Sequence, residues 1–228
     1  MRFAWALTLV AGTADPSGGL REALALEATE PDLALAQVDS VVRAHPSAPL
    51  PRIEAARLRL KAGRELDRAE GDLEVARALV PENPRAQFLF GLVMAEEGKR
   101  RQACQALELA VLYRQDYDEA RFRLAGLYFD ASDWARAESH YRAVSASRPE
   151  RTAARLQLAL VIDKQGRAAD AEAVLVRLHA EEPDSPLVSR RLADWYEKTG
   201  RAREAEKLRR SIGETPKPAM RPLRRSAR

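Results

Sequence analysis

The 228-residue sequence holds one cysteine, three histidines and six lysines, and each scarcity excludes something. A lone thiol, Cys104, closes no internal disulfide, so the fold does not depend on an oxidising compartment. Lying beside Ala103 on an apolar-periodic segment, it reads as a buried, inert thiol. His45, His140 and His179 stand apart from one another, and no Cys/His spacing suits a metal. Neither a glycine-rich phosphate loop nor another enzyme signature is present, so the sequence reads as non-enzymatic and free of cofactors. The shortage of lysine, six of 38 basic residues, reads as genome composition. No long β-branched run competes with helix, and alanine and leucine richness favours it. After the first residues no stretch approaches the ~18 consecutive apolar residues that a membrane span needs.

What the sequence does have is a period. Sliding it against itself by 34 residues superimposes Ala69, Ala103, Ala137, Ala171 and Ala205. Small residues there permit close approach of a second helix to a first. The same shift aligns Leu73, Leu107, Tyr141 and Leu175, then Ala76, Ala110, Val144, Leu178 and Ile212, on one face of that helix. In the first helices Gly91, Ala125, Ala159 and Ala193 keep a small site, and Met94, Tyr128, Ile162 and Tyr196 a large one. Gly98, Gly166 and Gly200 mark the turn between helices, with a break near Ser132 and Asp133 in the remaining copy. Pro81, Pro149 and Pro183 close the units, Gln115 fills the missing place, and Pro46 lies 35 residues before Pro81. One such hairpin cannot bury both its faces, so it needs neighbours.

This pattern resembles the tetratricopeptide repeat, a 34-residue helix-turn-helix unit with small, aromatic, alanine and proline landmarks at these offsets. The resemblance implies an all-α fold, a right-handed superhelical solenoid of antiparallel helix pairs with about six repeats. The tryptophan that often opens the first helix is replaced by Gln87, Arg121, Arg155 and Ser189.

Three segments are expected along the chain. Residues 1–14 carry one arginine, an apolar run and small residues before Asp15, the layout of a secretory signal, with an apolar capping helix as the other reading. Residues 15–212 form the repeats. The first is worn, with Pro16, Gly18 and Gly19 loosening its start; the second is irregular, with Gly63 one residue early and Arg57 and Arg59 in its first helix. The last offers Arg209 where others place a large apolar residue, which reads as the polar outer face of a solenoid end. Residues 213–228 have no periodic apolar face and read as a disordered basic tail, with Arg221, Arg224, Arg225 and Arg228. From Arg201 onward ten basic residues face three glutamates, whereas the whole chain is +4, so the basic character lies at this end.

In proteins with this resemblance the first helices line a concave groove that receives peptides or helices. Transferring that face puts Phe88, Leu92, Phe122, Phe129, Leu156 and Leu160 in the groove, with Arg85 and Asp130 at its rim. A carboxylate clamp is not expected, because apolar residues occupy its places and no asparagine falls in a regular first helix. The reading is a protein-interaction scaffold that binds a partner helix or peptide, of bacterial origin and periplasmic or secreted, assisting assembly of an envelope complex. A cytoplasmic location is the alternative. The rival function is nucleic-acid or anionic-membrane binding through the arginine tail, with nucleic acid disfavoured for an exported protein. Self-association through the groove is a third reading.

Overall fold

A computed structural model describes residues 16–214, and among these it is all helix, with no strand. The helices are α1 (Pro16–Ala25), α2 (Pro31–Ala44), α3 (Pro49–Ala62), α4 (Leu66–Leu79), α5 (Pro84–Glu96), α6 (Arg100–Tyr113), α7 (Asp118–Asp130), α8 (Trp134–Ser147), α9 (Thr152–Lys164), α10 (Ala168–Glu181), α11 (Pro186–Lys198) and α12 (Ala202–Ser211). The segment of residues 1–14 and the arginines Arg221, Arg224, Arg225 and Arg228 lie outside the described residues. No helix among the described residues is long and apolar enough to cross a membrane.

The period of the sequence becomes a period of helix boundaries. From Leu66 onward every second helix starts 34 residues after the last, and from Pro84 every first helix does the same. Proline at the first helical position opens α2, α3, α5 and α11, where its missing N–H has no intrahelical partner to lose. The Asn83 carboxamide caps α5 by accepting from the N–H groups of Arg85 and Ala86, each at 3.0 Å. Gly98, Gly166 and Gly200 take left-handed φ of 74°, 78° and 81°, and Ser132 takes 60° in the copy without glycine.

The irregularity of the second repeat is local to its turn. Its first helix, α3, has one residue more than α5, which moves Gly63 to the first place of a three-residue turn. A second left-handed residue, Glu65 at φ 53°, restores the phase before α4. Its carboxylate is held by Arg59 Nε at 3.2 Å and Arg68 at 2.8 Å, interactions that hold a non-glycine residue in a costly conformation. The first repeat also begins as helix, because Gly18 and Gly19 lie inside α1.

Chain contacts resolve into two units, Met1–Leu127 and Tyr128–Arg228, with the division inside α7. In the first unit, Ala69, Leu73 and Ala76 of α4 and Ala103, Leu107 and Ala110 of α6 are all buried, as their offsets predict, and so are Ala34, Val38 and Val41 of α2, which lie 35 residues before the α4 set. Helices α5 and α6 approach closely at Gly91. A Cβ added to Gly91 would lie 2.7 Å from Leu107 Cγ and 3.2 Å from the Ala103 carbonyl oxygen. Cys104 is only half-buried, which corrects the expectation of a buried thiol; its neighbour Ala103 takes the packing position.

This unit also buries a charge. Arg59 is 1% exposed and donates to Asp39 at 2.5 and 2.7 Å, Asp72 at 2.7 Å and Glu65 at 3.2 Å. Burial opposes its charge, but the carboxylates outweigh that and hold its pKa above the ordinary value. Arg57 grips Glu27 through both terminal nitrogens and Glu54 through Nε, tying α3 to the turn between α1 and α2.

In the second unit the same register recurs: Ala137, Tyr141 and Val144 of α8, and Ala171, Leu175 and Leu178 of α10, are buried. On α12 it changes chemistry. Arg209, expected on an exposed polar face, is 6% exposed. Its guanidinium donates to Asp194 at 2.6 Å and Glu197 at 2.9 Å, both on α11, and to Glu214 at 3.0 Å. Ion pairs therefore stand where α8 and α10 place Tyr141 and Leu175. The helix cap continues past residue 212. Gly213 is left-handed at φ 74°, the Glu214 N–H reaches the Arg209 carbonyl at 2.9 Å, and the Glu214 carboxylate also accepts from Arg190 at 2.6 Å. These two residues belong to the last hairpin and not to the tail.

Candidate functional site

In the first unit four of the expected groove residues fall on α5 and α7. Phe88 is 9% exposed and packs on Tyr117, with ring centroids 4.9 Å apart and an interplanar angle of 44°, so it belongs to the core and not to an open face. Leu92 and Phe122 are half-buried. Arg85 is exposed at the start of α5 and pairs with the buried Glu54 at 2.5 Å, which anchors it to α3. A recess of about 340 Å³ beside Leu35 and Leu58 is lined by the ion pairs Lys61–Glu27 and Arg64–Asp32, so the charges on it are paired with one another.

The second unit holds the other four. Phe129 is half-buried against Trp134, edge to face at 5.0 Å, and Asp130 is exposed. Leu156 and Leu160 project from α9 into a cleft of about 280 Å³ that α11 closes on its other side, with Leu175 of α10 among its lining residues. Leu160 is 39% exposed and Leu187, facing it from the start of α11, is 47% exposed. Trp195 contributes a wall that is 7% exposed, and its indole N–H, fully buried, has no hydrogen-bond partner among the described residues.

Charges border this apolar strip. Lys198 pairs with Asp163 across the cleft and lies 5.2 Å from the Trp195 ring centroid. Asp194 pairs with Arg209 at 2.6 Å, a guanidinium that it shares with Glu197 and Glu214. Arg191, exposed on α11, has no ion-pair or hydrogen-bond partner among the described residues. The geometry suits burial of an apolar side chain between two helices, flanked by one uncommitted positive charge. Among the described residues no three His, Cys, Asp or Glu side chains gather in a group that could hold a metal.

Sequence reasoning found the α9 wall and missed the α11 wall. Shifted by 34, Leu187 falls on Ala153, Glu119 and Arg85, so that position carries no apolar signal elsewhere in the chain. Trp195 lay one residue from the large site kept by Tyr196, and an unclaimed tryptophan beside a periodic position was the available sign.

The two walls come from the first helices of successive helix hairpins, which defines the class of protein: a helical repeat array with a cleft between repeats. The chain has the fold of the tetratricopeptide-repeat proteins, and residues 128–188 and 164–219 match the tetratricopeptide repeat family model, a span that begins where the second unit begins. A tetratricopeptide repeat protein from Parabacteroides merdae is 16% identical, with a TM-score of 0.72 over 89% of this chain and 80% of its own. PilW, described as a widely conserved type IV pilus biogenesis factor, is 14% identical with a TM-score of 0.73, over 88% of this chain and 93% of its own. YrrB, described as a protein of this family with an unusual peptide-binding site, is 16% identical with a TM-score of 0.64, over 75% of this chain and 88% of its own. No curated protein matches the sequence.

Proposed function

We propose that this chain is a non-enzymatic interaction scaffold whose α9–α11 cleft holds an apolar helix or extended segment of a partner protein. The observation that carries the reading is the pair Leu160 and Leu187, large apolar side chains left 39% and 47% exposed on facing walls of one cleft. An exposed apolar strip rimmed by charge is a common mark of a binding surface. Leu156 deepens the strip, and Phe129 and Asp130 are proposed as further contacts of the same unit. In the first unit Leu92 and Phe122, with Arg85 at the rim, are the corresponding proposal; Phe88 supports them from within the core. The likeness in fold to YrrB, which has a peptide-binding site, supports a peptide or protein partner. The likeness in fold to PilW, a pilus biogenesis factor, together with the signal-like residues 1–14, supports a role in assembling a bacterial envelope complex from the periplasmic side.

The test is co-purification from the native host with three baits: the full chain, its Leu160→Asp variant, and a chain ending at Glu214. The cleft reading expects the partner to be lost with Leu160→Asp and kept by the shortened chain. Loss with the shortened chain alone would transfer the function to Arg221, Arg224, Arg225 and Arg228 and to an anionic partner.

A further inference from the structure

We infer that the segment held in the α9–α11 cleft is acidic, carrying a carboxylate beside a large apolar side chain; this rests on the cleft being the binding site. Two observations converge. The apolar strip formed by Leu156, Leu160 and Leu187 accepts an aliphatic or aromatic side chain. Asp163 pairs with Lys198, and Asp194 shares Arg209 with Glu197 and Glu214, which leaves Arg191 as the cation of the cleft lining without a carboxylate partner among the described residues.

An unpaired arginine at the rim of an apolar cleft selects by sign. An incoming carboxylate gains a charge-assisted bond from a planar guanidinium, whereas an incoming lysine or arginine meets like charge while losing water. The same reasoning excludes the chain's own end as occupant. Residues 215–228 carry Lys217, Arg221, Arg224, Arg225 and Arg228 and no acidic residue, so Arg191 repels them.

The experiment is selection from a random 12-residue peptide display library on the immobilised full chain, run in parallel on Arg191→Glu and Leu160→Asp. All three proteins are checked for unchanged helical circular dichroism, which is expected because both positions are exposed. The proposal expects enriched peptides that pair Asp or Glu with Leu, Ile or Phe. Arg191→Glu should reverse the preference to basic peptides and weaken binding of the best acidic peptide by about tenfold in fluorescence anisotropy. Leu160→Asp should abolish enrichment. Peptides that need Leu160 but tolerate Arg191→Glu would overturn the acidic preference and leave the cleft standing. Peptides indifferent to Leu160→Asp, or no enrichment over that variant, would overturn the cleft reading and the proposal with it.

Discussion

At the scale of single residues, two positions show how little freedom the packing leaves. The small site of the first helices is glycine only at Gly91, where a methyl group would press on Leu107 Cγ at 2.7 Å, a branch carbon of a fully buried side chain. Gly91→Ala should therefore cost about 1–3 kcal/mol in chemical denaturation, although alanine is the better helix former. Arg59 poses the opposite case, a charge sealed by three carboxylates. Arg59→Met keeps the volume but removes the cation that Asp39 and Asp72 share, leaving Asp72 to Arg52 at 2.9 Å and Asp39 to Arg68 at 3.8 Å, so a loss of about 3 kcal/mol is expected from the same measurement. A third residue reports through pH. Hydrogen bonds from Arg57 first and Lys61 second hold the Glu27 carboxyl at about 2, against an ordinary value of 4.5, with burial opposing. A lowered folded-state pKa stabilises above the ordinary value and loses that contribution as the pH falls through the window. The melting temperature of Glu27→Gln should thus lie below that of the parent at neutral pH, and the gap should close between 4.5 and about 2.

At the scale of elements, the 34-residue spacing made helix pairs, turns and packing faces legible, because every landmark is a local residue type at a fixed offset. Hidden from that reading were interactions whose members share no offset. Arg59 collects its partners 20, 6 and 13 residues away, and nothing periodic marks an arginine as buried when its neutralisation comes from three separate places. Arg209 was read as an exposed end for the same reason, although Asp194 and Glu197 of α11 and Glu214 enclose it. The cleft was half legible: Leu156 and Leu160 follow the groove face, whereas Leu187 occupies a position that holds Ala153, Glu119 and Arg85 in earlier repeats, and the Arg191 position, with Gln157, Arg123 and Leu89, keeps no one residue type. The last hairpin supplies the corresponding prediction. Glu214→Ala removes acceptors from both Arg190 and Arg209 and should lower the thermal midpoint, whereas deleting residues 215–228, which have no apolar face, should leave it where it is.

At the scale of the whole molecule, the account has one center, a cleft between the first helices of two successive repeats that receives an acidic, apolar segment. Exposed apolar residues also occur on second helices, as at Val176, which is 41% exposed on α10 and lines no part of the cleft. The comparison of these two places gives the most direct test. A photo-crosslinking amino acid is placed at position 160 or at position 176 of the full chain in its native host, and the adducts are mapped by mass spectrometry. The account predicts one dominant adduct from position 160, to a segment of a partner that is rich in Asp or Glu and large apolar residues, with none from position 176. Equal adducts from both positions, or an adduct from position 176 alone, would contradict it.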